Sequence, residues 1–379
     1  MTEKLYDTNP YQRTFQATIV SCTPCDKGYD IVLDRTLFFP EEGGQSCDKG
    51  TLNGINVFDV QIKNGEIHHY TKEKIETKVE GKIDFDHRYY NMQHHSAEHI
   101  LSGMVHQLFG YDNVGFHLGI DEVTADYNGL FNEAQIDILE QKVNEAIIKN
   151  IEIKYGYPDH VEQLSYRSKK EIKEAIRIVE IEGIDICACC APHVKSTIEI
   201  QLFKIIKTMK FKRGTRIYFL CGQKAILDYQ IKFKEAQKTS VLLKANINDT
   251  YNRILQLSKE NQILKQECSK FKKEKVDMYL ETLEPCDSIL LFEENMDFSI
   301  QKYFVSKLHT YVLKYAAVFV KDKDGYRFLL FDHENALNHL KKLKDHFIVK
   351  GGGNKEAIQG SVIASEEQIR KIMEEENEL

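Results

Sequence analysis

The sequence predicts a multidomain protein of the α+β class, and three observations support this fold class. The chain has 379 residues, which at about 100–200 residues per domain is enough for several domains. Residues 14–72 are rich in β-branched and aromatic residues separated by turn dipeptides, as in short antiparallel strands. Residues 226–282 contain neither Gly nor Pro and are dense in Lys, Glu, Gln and Leu, which predicts a long helical segment.

The N-terminal region, residues 1–88, is predicted to form a small antiparallel β-barrel or sandwich. Its strand candidates are TFQATIVSC, YDIVLDRTLFF and INVFDVQI. The dipeptides Lys49-Gly50, Asn53-Gly54 and Asn64-Gly65 are typical of hairpin turns. Strands at this spacing, joined by such turns, favour an antiparallel arrangement.

Residues 89–225 are predicted to form a mixed α+β domain. A helical period extends from Tyr89 to about Phe109, with apolar side chains on one face. A second helix is expected near 133–149, and strands near 151–155, 177–181, 197–207 and 215–221.

Residues 226–284 fit a heptad pattern and are predicted to form a helical coil. The d positions are Leu243, Thr250, Leu257, Leu264, Phe271 and Met278, and the a positions are Ile247, Ile254, Asn261, Cys268 and Lys275. A lone Asn at an a position can fix register and oligomeric state, which favours a homodimer. An intramolecular helical hairpin would show the same pattern.

Residues 285–379 are predicted to form a second, α/β domain that begins at Pro285. Its glycine run, Gly351, Gly352 and Gly353, is expected to form a loop after a strand. Two interpretations stay open: a tight turn that needs positive φ, or a backbone that approaches a phosphate.

Composition excludes several classes of protein. A hydrophobic content of 42% is too high for a disordered chain, and no apolar run of about 18 residues could span a membrane. The N-terminus lacks the apolar segment of a secretory signal, so we expect a soluble cytoplasmic protein without a membrane partner. Nine cysteines in such a protein indicate thiols or metal ligands rather than disulfides.

A basic segment interrupts an otherwise acidic chain of formal charge −7. Residues 204–238 contain ten Lys or Arg residues and two acidic ones, which gives this segment a net charge of +8. The segment is either a solvated helical face or a surface that follows nucleic-acid phosphates, with Lys210, Lys212 and Arg213 as candidate contacts.

Two paired-ligand motifs predict a zinc site. His95 and His99 are four residues apart in a helical stretch, so both imidazoles project from one face. Cys189 and His193 add a thiolate and an imidazole, a combination that suits zinc. Cys187 or Cys190 could replace Cys189, because all three cysteines lie within one turn. Cys22-x2-Cys25 has no second pair nearby, and we interpret it as two unpaired thiols.

The segment His95-Ser-Ala-Glu98-His99 also matches H-x-x-E-H, the inverted signature of zinc metallopeptidases. In those enzymes the glutamate is the general base, and a further acidic residue rather than Cys-x3-His completes the site. The cysteine motif therefore weighs against a peptidase. Glu98 stays a candidate for proton transfer, or it points at solvent.

These motifs together resemble the editing domain of alanyl-tRNA synthetases and the free-standing alanyl-tRNA editing (AlaX) proteins. The resemblance rests on H-[ST]-A-x-H-[IL]-L followed by C-x3-H-V, and on LFFPEEGGQSCDKG, which is similar to the barrel motif before that domain. VGFHLGIDEVTADY and the segment from HVKSTIE to FLCG also agree. KGGGNKEAIQGS resembles the glycine-rich loop of DHHA1 domains. The chain departs from the synthetase pattern C-G-G-T-H, having Cys-Cys-Ala-Pro-His at 189–193, and it lacks the D-H-H motif of DHHA1 phosphoesterases.

The resemblance implies a long-form editing protein that hydrolyses mischarged tRNA(Ala), chiefly seryl-tRNA(Ala), with glycyl-tRNA(Ala) as a second candidate. It implies a Zn2+ site of His95, His99, Cys189 and His193. Gln45 becomes a candidate contact to the terminal adenosine or the seryl group, and Gly115 and His117 become candidate pocket residues. The DHHA1-like domain would contribute tRNA contacts, dimerisation or both.

Two questions stay open at this point. Zinc could activate water, polarise the ester carbonyl or anchor the substrate, since four protein ligands already close a tetrahedral site. A zinc-stabilised tRNA-binding module without turnover is the alternative function.

Overall fold

The chain folds into two compact units, Met1–Gln237 and Lys238–Leu379. The computed structural model describes residues 1–76, 78–119, 122–168 and 176–374. The fold is a mixed α+β one with several antiparallel sheets, as the sequence predicts. The finer division into four domains stays a proposal. Among the described helices, none combines the length and apolarity needed to cross a bilayer.

The first unit begins with a seven-stranded antiparallel sheet. Its elements are β1 (Glu3–Lys4), α1 (Leu5–Thr8), β2 (Thr14–Ala17), β3 (Ile19–Cys25), β4 (Gly28–Leu33), β5 (Arg35–Thr36), β6 (Gly50–Leu52), β7 (Ile55–Lys63), β8 (Glu66–Thr71) and β9 (Val79–Ile83). The strand order is β2-β9-β6-β7-β8-β4-β3, while β1 and β5 pair with each other in parallel. Between the edge strands β2 and β3 the described residues show no pairing, so the described pairing does not close the predicted barrel.

Two of the three predicted hairpin turns are confirmed. Asn53-Gly54 joins β6 to β7 and Asn64-Gly65 joins β7 to β8, and all four residues have positive φ, as primed turns require. The prediction for Lys49-Gly50 is wrong, because Gly50 lies inside β6. A Cβ at Gly50 would come within 2.2 Å of the Lys82 carbonyl oxygen on the neighbouring strand, which explains the glycine there.

The rest of the first unit surrounds one long buried helix. Its elements are α2 (Phe85–Phe109), β10 (Asn113–Leu118), β11 (Val123–Tyr127), α3 (Glu133–Ile148), β12 (Ile153–Gly156), β13 (Ile178–Ile181), β14 (Asp185–Ala188), β15 (Phe203–Phe211), β16 (Gly214–Cys221) and α4 (Gly222–Leu243). The strands form a four-stranded sheet of order β10-β11-β16-β15 and a three-stranded sheet of order β12-β13-β14. Apolar side chains of α2, α3 and both sheets share one core.

The structure corrects two boundaries in this region. Helix α2 begins at Phe85 rather than Tyr89, because the Asp84 side chain caps it by accepting the backbone N–H of His87. The strand expected over 197–207 begins only at Phe203. Residues Thr197–Ile200 form a 3-10 turn instead, held by the Thr197 hydroxyl, which donates to the carbonyl of Ala146.

The second unit contains a five-stranded sheet and a long exposed helix. Its remaining elements are α5 (Thr250–Glu281), β17 (Cys286–Glu293), α6 (Phe298–Leu308), β18 (Val312–Asp322), β19 (Gly325–Asp332), α7 (Ala336–His346), β20 (Ile348–Gly353), β21 (Ala357–Ile363) and α8 (Glu366–Glu374). The order is β17-β18-β19-β21-β20, and only β17 and β18 are parallel, connected by α6. The last residues of the predicted C-terminal domain, 375–379, lie outside the described residues.

The single helical coil predicted over 226–284 is wrong in one respect. The helix breaks between Leu243, the end of α4, and Thr250, the start of α5. Lys244 adopts a left-handed conformation with φ 51°, and the Ser240 hydroxyl donates to the carbonyl of Ala245. The stripe of a and d residues, called the seam below, therefore continues only along α5, from Ile254 onwards.

The glycine run is part of a strand rather than a loop. Gly351, Gly352 and Gly353 end β20, and none of them has positive φ, so the tight-turn interpretation is wrong. A Cβ at Gly351 or Gly353 would come within 2.4 Å or 2.1 Å of a carbonyl oxygen of β21. At Gly352 a Cβ would meet nothing within 4 Å. Close strand pairing explains the outer two glycines but not the middle one.

Candidate metal centre

Helix α2 carries the first pair of candidate ligands into the interior. It ends at Gly110, whose left-handed conformation closes the helix. His95 and His99 are 4% and 2% exposed, and their four-residue spacing places both rings on one face. The ring centroids are 5.5 Å apart.

The second pair comes from the loop that follows β14. The Arg177 guanidinium donates to the carbonyls of Cys189 and Ala191, which fixes the loop backbone. The Val194 backbone N–H donates to the Ser96 hydroxyl, which attaches the loop to α2. These contacts hold Cys189 and His193 against the helix.

His95, His99, Cys189 and His193 form a cluster, referred to below as the His–Cys cluster. One candidate ligand atom from each residue lies within 4.8 Å of the other three. Cys189 Sγ is 3.5 Å from His95 Nε2 and 3.4 Å from His193 Nε2. Tetrahedral zinc, with bonds of about 2.3 Å to sulfur and about 2.0 Å to nitrogen, would separate such atoms by about 3.6 Å. The cluster therefore fits zinc in both chemistry and spacing.

The Nδ1 atom of each histidine in the cluster is occupied by a protein group. Gln45 Oε1 lies 2.8 Å from His95 Nδ1. Ser96 Oγ lies 3.0 Å from His193 Nδ1, and Asp185 Oδ2 lies 3.0 Å from His99 Nδ1. The Nε2 atoms are left to face Cys189 as metal ligands.

The electrostatics of the cluster favour a thiolate at Cys189 beside a neutral imidazole at His193. Burial alone would raise the pKa of Cys189, but His95 and His193 hold it well below its usual value. Burial lowers the pKa of His193 to about 3, so this ring is neutral near pH 7. For His99, burial opposes the charge, but nearby Cys187 and Asp185 hold its pKa well above the usual value.

The other cysteines that the sequence offered lie outside the His–Cys cluster, although Cys187 forms a second candidate metal group with His99 and Asp185. Cys187 Sγ is near His99 and Asp185, and burial raises the pKa of this thiol to about 11. Burial, followed by the charge of Cys189, also raises the pKa of Cys190. Neither thiol has the lowered pKa found for Cys189. Cys22 and Cys25 lie in β3 as free thiols.

Gln45 and Glu98, the two candidate catalytic residues, both lie next to the cluster. Gln45 is completely buried, and its Nε2 has no hydrogen-bond partner among the described residues. Glu98 is 2% exposed, so the solvent-pointing interpretation is wrong. Its Oε1 accepts hydrogen bonds of 2.7 Å from both Ser102 and Asn113, and its Oε2 lies 4.0 Å from His99 Nε2.

The candidate pocket residues Gly115 and His117 lie on β10 on either side of Phe116. The Phe116 ring packs against His95, with 5.0 Å between the ring centroids. Successive side chains of a strand alternate between faces, so the His117 side chain projects away from the His95 side, and Gly115 has no side chain. His117 is exposed. Their part in substrate binding stays a prediction, and Phe116 is the residue that sequence reasoning missed.

The candidate tRNA contacts lie at two exposed places, one in each unit. Lys210, Lys212 and Arg213 surround the turn between β15 and β16, and all three are exposed; they are called the basic hairpin below. In the second unit Gly351–Gly353 lines an open cleft of about 760 Å³ together with Phe298 and Asn354.

Sequence reasoning also missed the partners that orient the imidazoles. Ser96 lies inside the histidine motif, and Asp185 precedes the cysteine motif by four residues. Nothing in the spacing of either residue indicates its contact, because each contact depends on how β14 and its loop pack on α2.

Comparisons with known proteins identify relatives of this chain. The family described as the threonyl and alanyl tRNA synthetase second additional domain matches residues 176–218. The alanyl-tRNA editing protein AlaX-L of Pyrococcus horikoshii is 36% identical over 241 residues, which is 60% of this chain and 59% of that protein. An alanine–tRNA ligase of Methanococcus vannielii is 29% identical over 98% of this chain and 43% of its own length.

One shorter relative is matched over nearly its whole length. AlaX-M of Methanosarcina barkeri is 36% identical over 243 residues, which is 58% of this chain and 98% of that protein. The matched region includes less than two thirds of the length of the Pyrococcus protein. On the strength of the Methanosarcina match, the chain belongs to the family of alanyl-tRNA editing proteins.

Proposed function

We propose that this protein is a zinc-dependent hydrolase that removes a wrong amino acid from tRNA(Ala) in trans. Its main substrate is seryl-tRNA(Ala), and glycyl-tRNA(Ala) is a second candidate. The observation that carries the proposal is the cluster of His95, His99, Cys189 and His193, whose candidate ligand atoms lie within 4.8 Å of one another. His95 and Cys189 are 94 residues apart in the sequence. The relatives named as alanyl-tRNA editing proteins support the substrate class. We place the protein in the cytoplasm, where aminoacyl-tRNA is used.

The protein groups around the cluster are arranged to hold a metal rigidly. Zinc at this site would supply positive charge that polarises the ester carbonyl, lowers the pKa of a water or anchors the substrate amine or ribose. The thiolate of Cys189 and the neutral ring of His193 are the electron-pair donors that such an ion needs. Phe116 covers one side of His95 and keeps bulk water from that ring.

Gln45 links the metal ligand to substrate recognition. Its Oε1 accepts the Nδ1–H of His95, so its Nε2–H groups are free to donate to a substrate oxygen. A serine hydroxyl can accept such a bond and an alanine methyl cannot. Discrimination by a required hydrogen bond is much stronger than discrimination by the size of an apolar group.

Glu98 is the residue proposed to move a proton. Its carboxylate oxygen Oε2 lies 4.0 Å from His99 Nε2 and is therefore next to the His–Cys cluster. Hydrogen bonds from Ser102 and Asn113 fix the carboxylate in this position. It can take a proton from the attacking water and return it to the 3′ or 2′ oxygen of the leaving ribose.

The tRNA is proposed to contact both units. The basic hairpin offers three exposed cations to the phosphates. In the second unit the side-chain-free Gly352 exposes backbone at an open cleft, which supports a tRNA contact there. We retain the proposed domains: barrel-like 1–88, editing 89–225, helical coil 226–284 with its break, and DHHA1-like 285–379.

We also propose that α5 forms a homodimer through its exposed seam, assisted by the C-terminal domain. The d side chains Leu264, Phe271 and Met278 are 61%, 68% and 68% exposed, and the a residue Cys268 is exposed between Leu264 and Phe271. Burying apolar side chains of this size contributes roughly 25 cal/mol per Å². A second copy of α5 offers the matching surface.

The charges beside the seam favour a parallel, in-register pair of α5 helices. Glu260 and Glu267 occupy g positions, and Lys265 and Lys272 occupy the following e positions. In a parallel dimer each g residue meets the e residue five positions later on the other helix, which pairs Glu with Lys. An antiparallel pair would place like charges together.

A short thiol cross-linker tests the dimer. The wild-type protein should give a covalent dimer that disappears in Cys268→Ser and persists in the control Cys25→Ser, which also removes an exposed thiol. Sedimentation of the native protein should give twice the chain mass of 44.0 kDa. A monomeric mass at micromolar concentration would disprove this part of the proposal.

The central experiment incubates the protein with seryl-, glycyl- and alanyl-tRNA(Ala) and measures the deacylation of each. The proposal predicts rapid loss of serine, measurable loss of glycine and stable alanyl-tRNA(Ala). The matched variant Gln45→Leu can neither donate to the substrate hydroxyl nor accept from it, and it should lose the preference for serine. Binding of tRNA without deacylation would favour the zinc-stabilised binding module. Chelator-sensitive cleavage of casein without tRNA would favour the metallopeptidase.

A further inference from the structure

We infer that Asp185, fixed by Arg167, is the positioning residue that holds His99 in the orientation and tautomer needed for metal binding. The inference rests on the proposed metal centre but not on any substrate. It assigns a role to two residues outside the ligand motifs.

A chain of hydrogen bonds connects the side chains of Arg167, Asp185 and His99. Asp185 Oδ2 lies 3.0 Å from His99 Nδ1, and the carboxylate is 6% exposed. The Arg167 guanidinium donates to both carboxylate oxygens, at 2.6 Å and 2.7 Å. Such a bidentate pair fixes the plane of the carboxylate as well as its position.

Arg167 is itself fixed by the backbone. Its N–H donates to the carbonyl of Ile186, and its own carbonyl accepts the N–H of Ala188. These two hydrogen bonds extend the pairing of β14 and leave the guanidinium beside Asp185. The orientation of His99 is therefore set by β14 and not by helix α2 alone.

The direction of the hydrogen bond follows from the charge of the carboxylate. The Arg167 guanidinium donates to both oxygens of Asp185, and this bidentate contact needs an ionised carboxylate. An ionised carboxylate can only accept, so Nδ1 of His99 carries the hydrogen and Nε2 faces the cluster.

The three histidines of the cluster differ in the strength of this support. His95 has a neutral amide, Gln45, and His193 has a hydroxyl, Ser96. Only His99, within the described cluster, has a carboxylate as its Nδ1 partner. A carboxylate partner raises the basicity of the ring as a ligand more than a neutral partner does. His99 is thus the most strongly supported imidazole of the three.

A matched pair of variants tests the inference. Asp126 and Arg216 form a second bidentate pair in the same unit, at 2.6 Å and 2.8 Å, with Asp126 8% exposed. Asp185→Asn and Asp126→Asn thus each leave one arginine without its carboxylate, but only the first changes the support of a cluster histidine. Zinc affinity is measured by competition with a chromogenic chelator, and the absorption spectrum of the Co2+-substituted protein reports ligand geometry.

We expect Asp185→Asn to weaken zinc binding by about 10–100-fold and to alter the Co2+ spectrum. Asp126→Asn should retain wild-type zinc affinity and spectrum. Arg167→Gln keeps the carboxylate and should lose less affinity than Asp185→Asn. Thermal unfolding of each metal-free variant measures damage to the fold separately.

Three outcomes would overturn the inference. Zinc affinity of Asp185→Asn within twofold of wild type would overturn it while leaving the proposed metal centre intact. Equal losses of affinity in both aspartate variants, matched by equal losses of metal-free stability, would mean that Asp185 is only structural. Failure of the wild-type protein to bind zinc would overturn the metal centre and this inference together.

Discussion

His69 in the N-terminal sheet and the histidines of the His–Cys cluster are equally buried, yet the protein treats them differently. His69 is 0% exposed and uses both ring nitrogens within the protein: Nε2 lies 2.8 Å from Thr36 Oγ1, and Nδ1 lies 3.1 Å from the carbonyl oxygen of Ile31. Each histidine of the cluster uses Nδ1 in the same way but directs Nε2 towards Cys189.

The partner of Nε2 therefore distinguishes a structural histidine from a candidate ligand better than burial or a sequence motif does. His94, next to His95 in the chain, follows His69: its ring nitrogens contact the carbonyl of Tyr90 and the backbone N–H of Cys221. A histidine with both nitrogens occupied has none left for a metal. Adjacent histidines in one helix can therefore have opposite roles.

The largest expected effect comes from removing a ligand of the cluster. His95→Ala or Cys189→Ala should lower zinc content by most of one equivalent and abolish deacylation, because the three remaining ligands bind zinc more weakly than four. Zinc content is measured by elemental analysis and deacylation with seryl-tRNA(Ala).

The comparison supplies the controls for this prediction. His69→Gln should retain a full equivalent of zinc, as should Cys22→Ser combined with Cys25→Ser. Full zinc occupancy in Cys189→Ala would transfer the ligand role to Cys187 or Cys190 and would contradict the assignment made here.

The second prediction concerns His69, the structural histidine, and the effect of pH on the stability that it contributes. Burial lowers the pKa of His69 to about 4, against about 6.5 in an unfolded chain. Between these values the unfolded state binds more protons, so the stabilisation is complete above about pH 6.5 and is lost as pH falls towards 4. The loss between pH 7 and pH 4 should be about 3 kcal/mol.

Urea unfolding of the wild type and of His69→Gln at several pH values measures this contribution. The variant should lose about 3 kcal/mol less than the wild type over the same interval. Parallel pH profiles for the two proteins would show that His69 is protonated in the folded state as easily as in the unfolded one.

The third prediction separates tRNA binding from chemistry. Replacing Lys210, Lys212 and Arg213 with Gln should weaken tRNA binding and reduce the slope of log K against log salt by roughly two to three, at about 0.7–0.9 per phosphate contact. Zinc content should not change, because these residues are exposed on the basic hairpin. An unchanged salt slope would favour the alternative interpretation, in which these residues form a solvated surface and do not contact tRNA phosphates.

The smallest effect is expected from removing the second unit. A protein truncated after Lys238 contains the whole His–Cys cluster and Gln45, and it ends next to the unit boundary at Gln237. It should fold, bind zinc and hydrolyse seryl-tRNA(Ala) as a monomer, with KM raised several-fold and kcat retained, since uniform binding is lost. Loss of kcat at saturating tRNA would show that the second unit shapes the active site.

The histidine motif could be found in the sequence because helix geometry makes its four-residue spacing meaningful. Four-residue spacing brings His95 and His99 to one face, and Cys189 with His193 repeats the signal in a loop. The choice among Cys187, Cys189 and Cys190 could not be made, since it depends on how Arg177 fixes the loop backbone.

The remaining errors come from contacts that no local pattern contains. The break between α4 and α5 has no Gly or Pro and rests on the left-handed Lys244. In the glycine run predicted as a loop, Gly351 and Gly353 are required by the close approach of β20 to β21. The link from Gln45 to His95 crosses 50 residues and four strands, β6 to β9, so the sequence alone does not indicate that these two side chains are partners.

The most direct test of the central claim is a zinc titration of the metal-stripped protein, followed by its rate of seryl-tRNA(Ala) deacylation. If the His–Cys cluster holds the single ion that the reaction needs, activity should rise in proportion to added zinc and reach a plateau at one equivalent. His69→Gln should follow the same curve, and Cys189→Ala should stay inactive throughout. Full activity in the zinc-free wild-type protein would contradict the account.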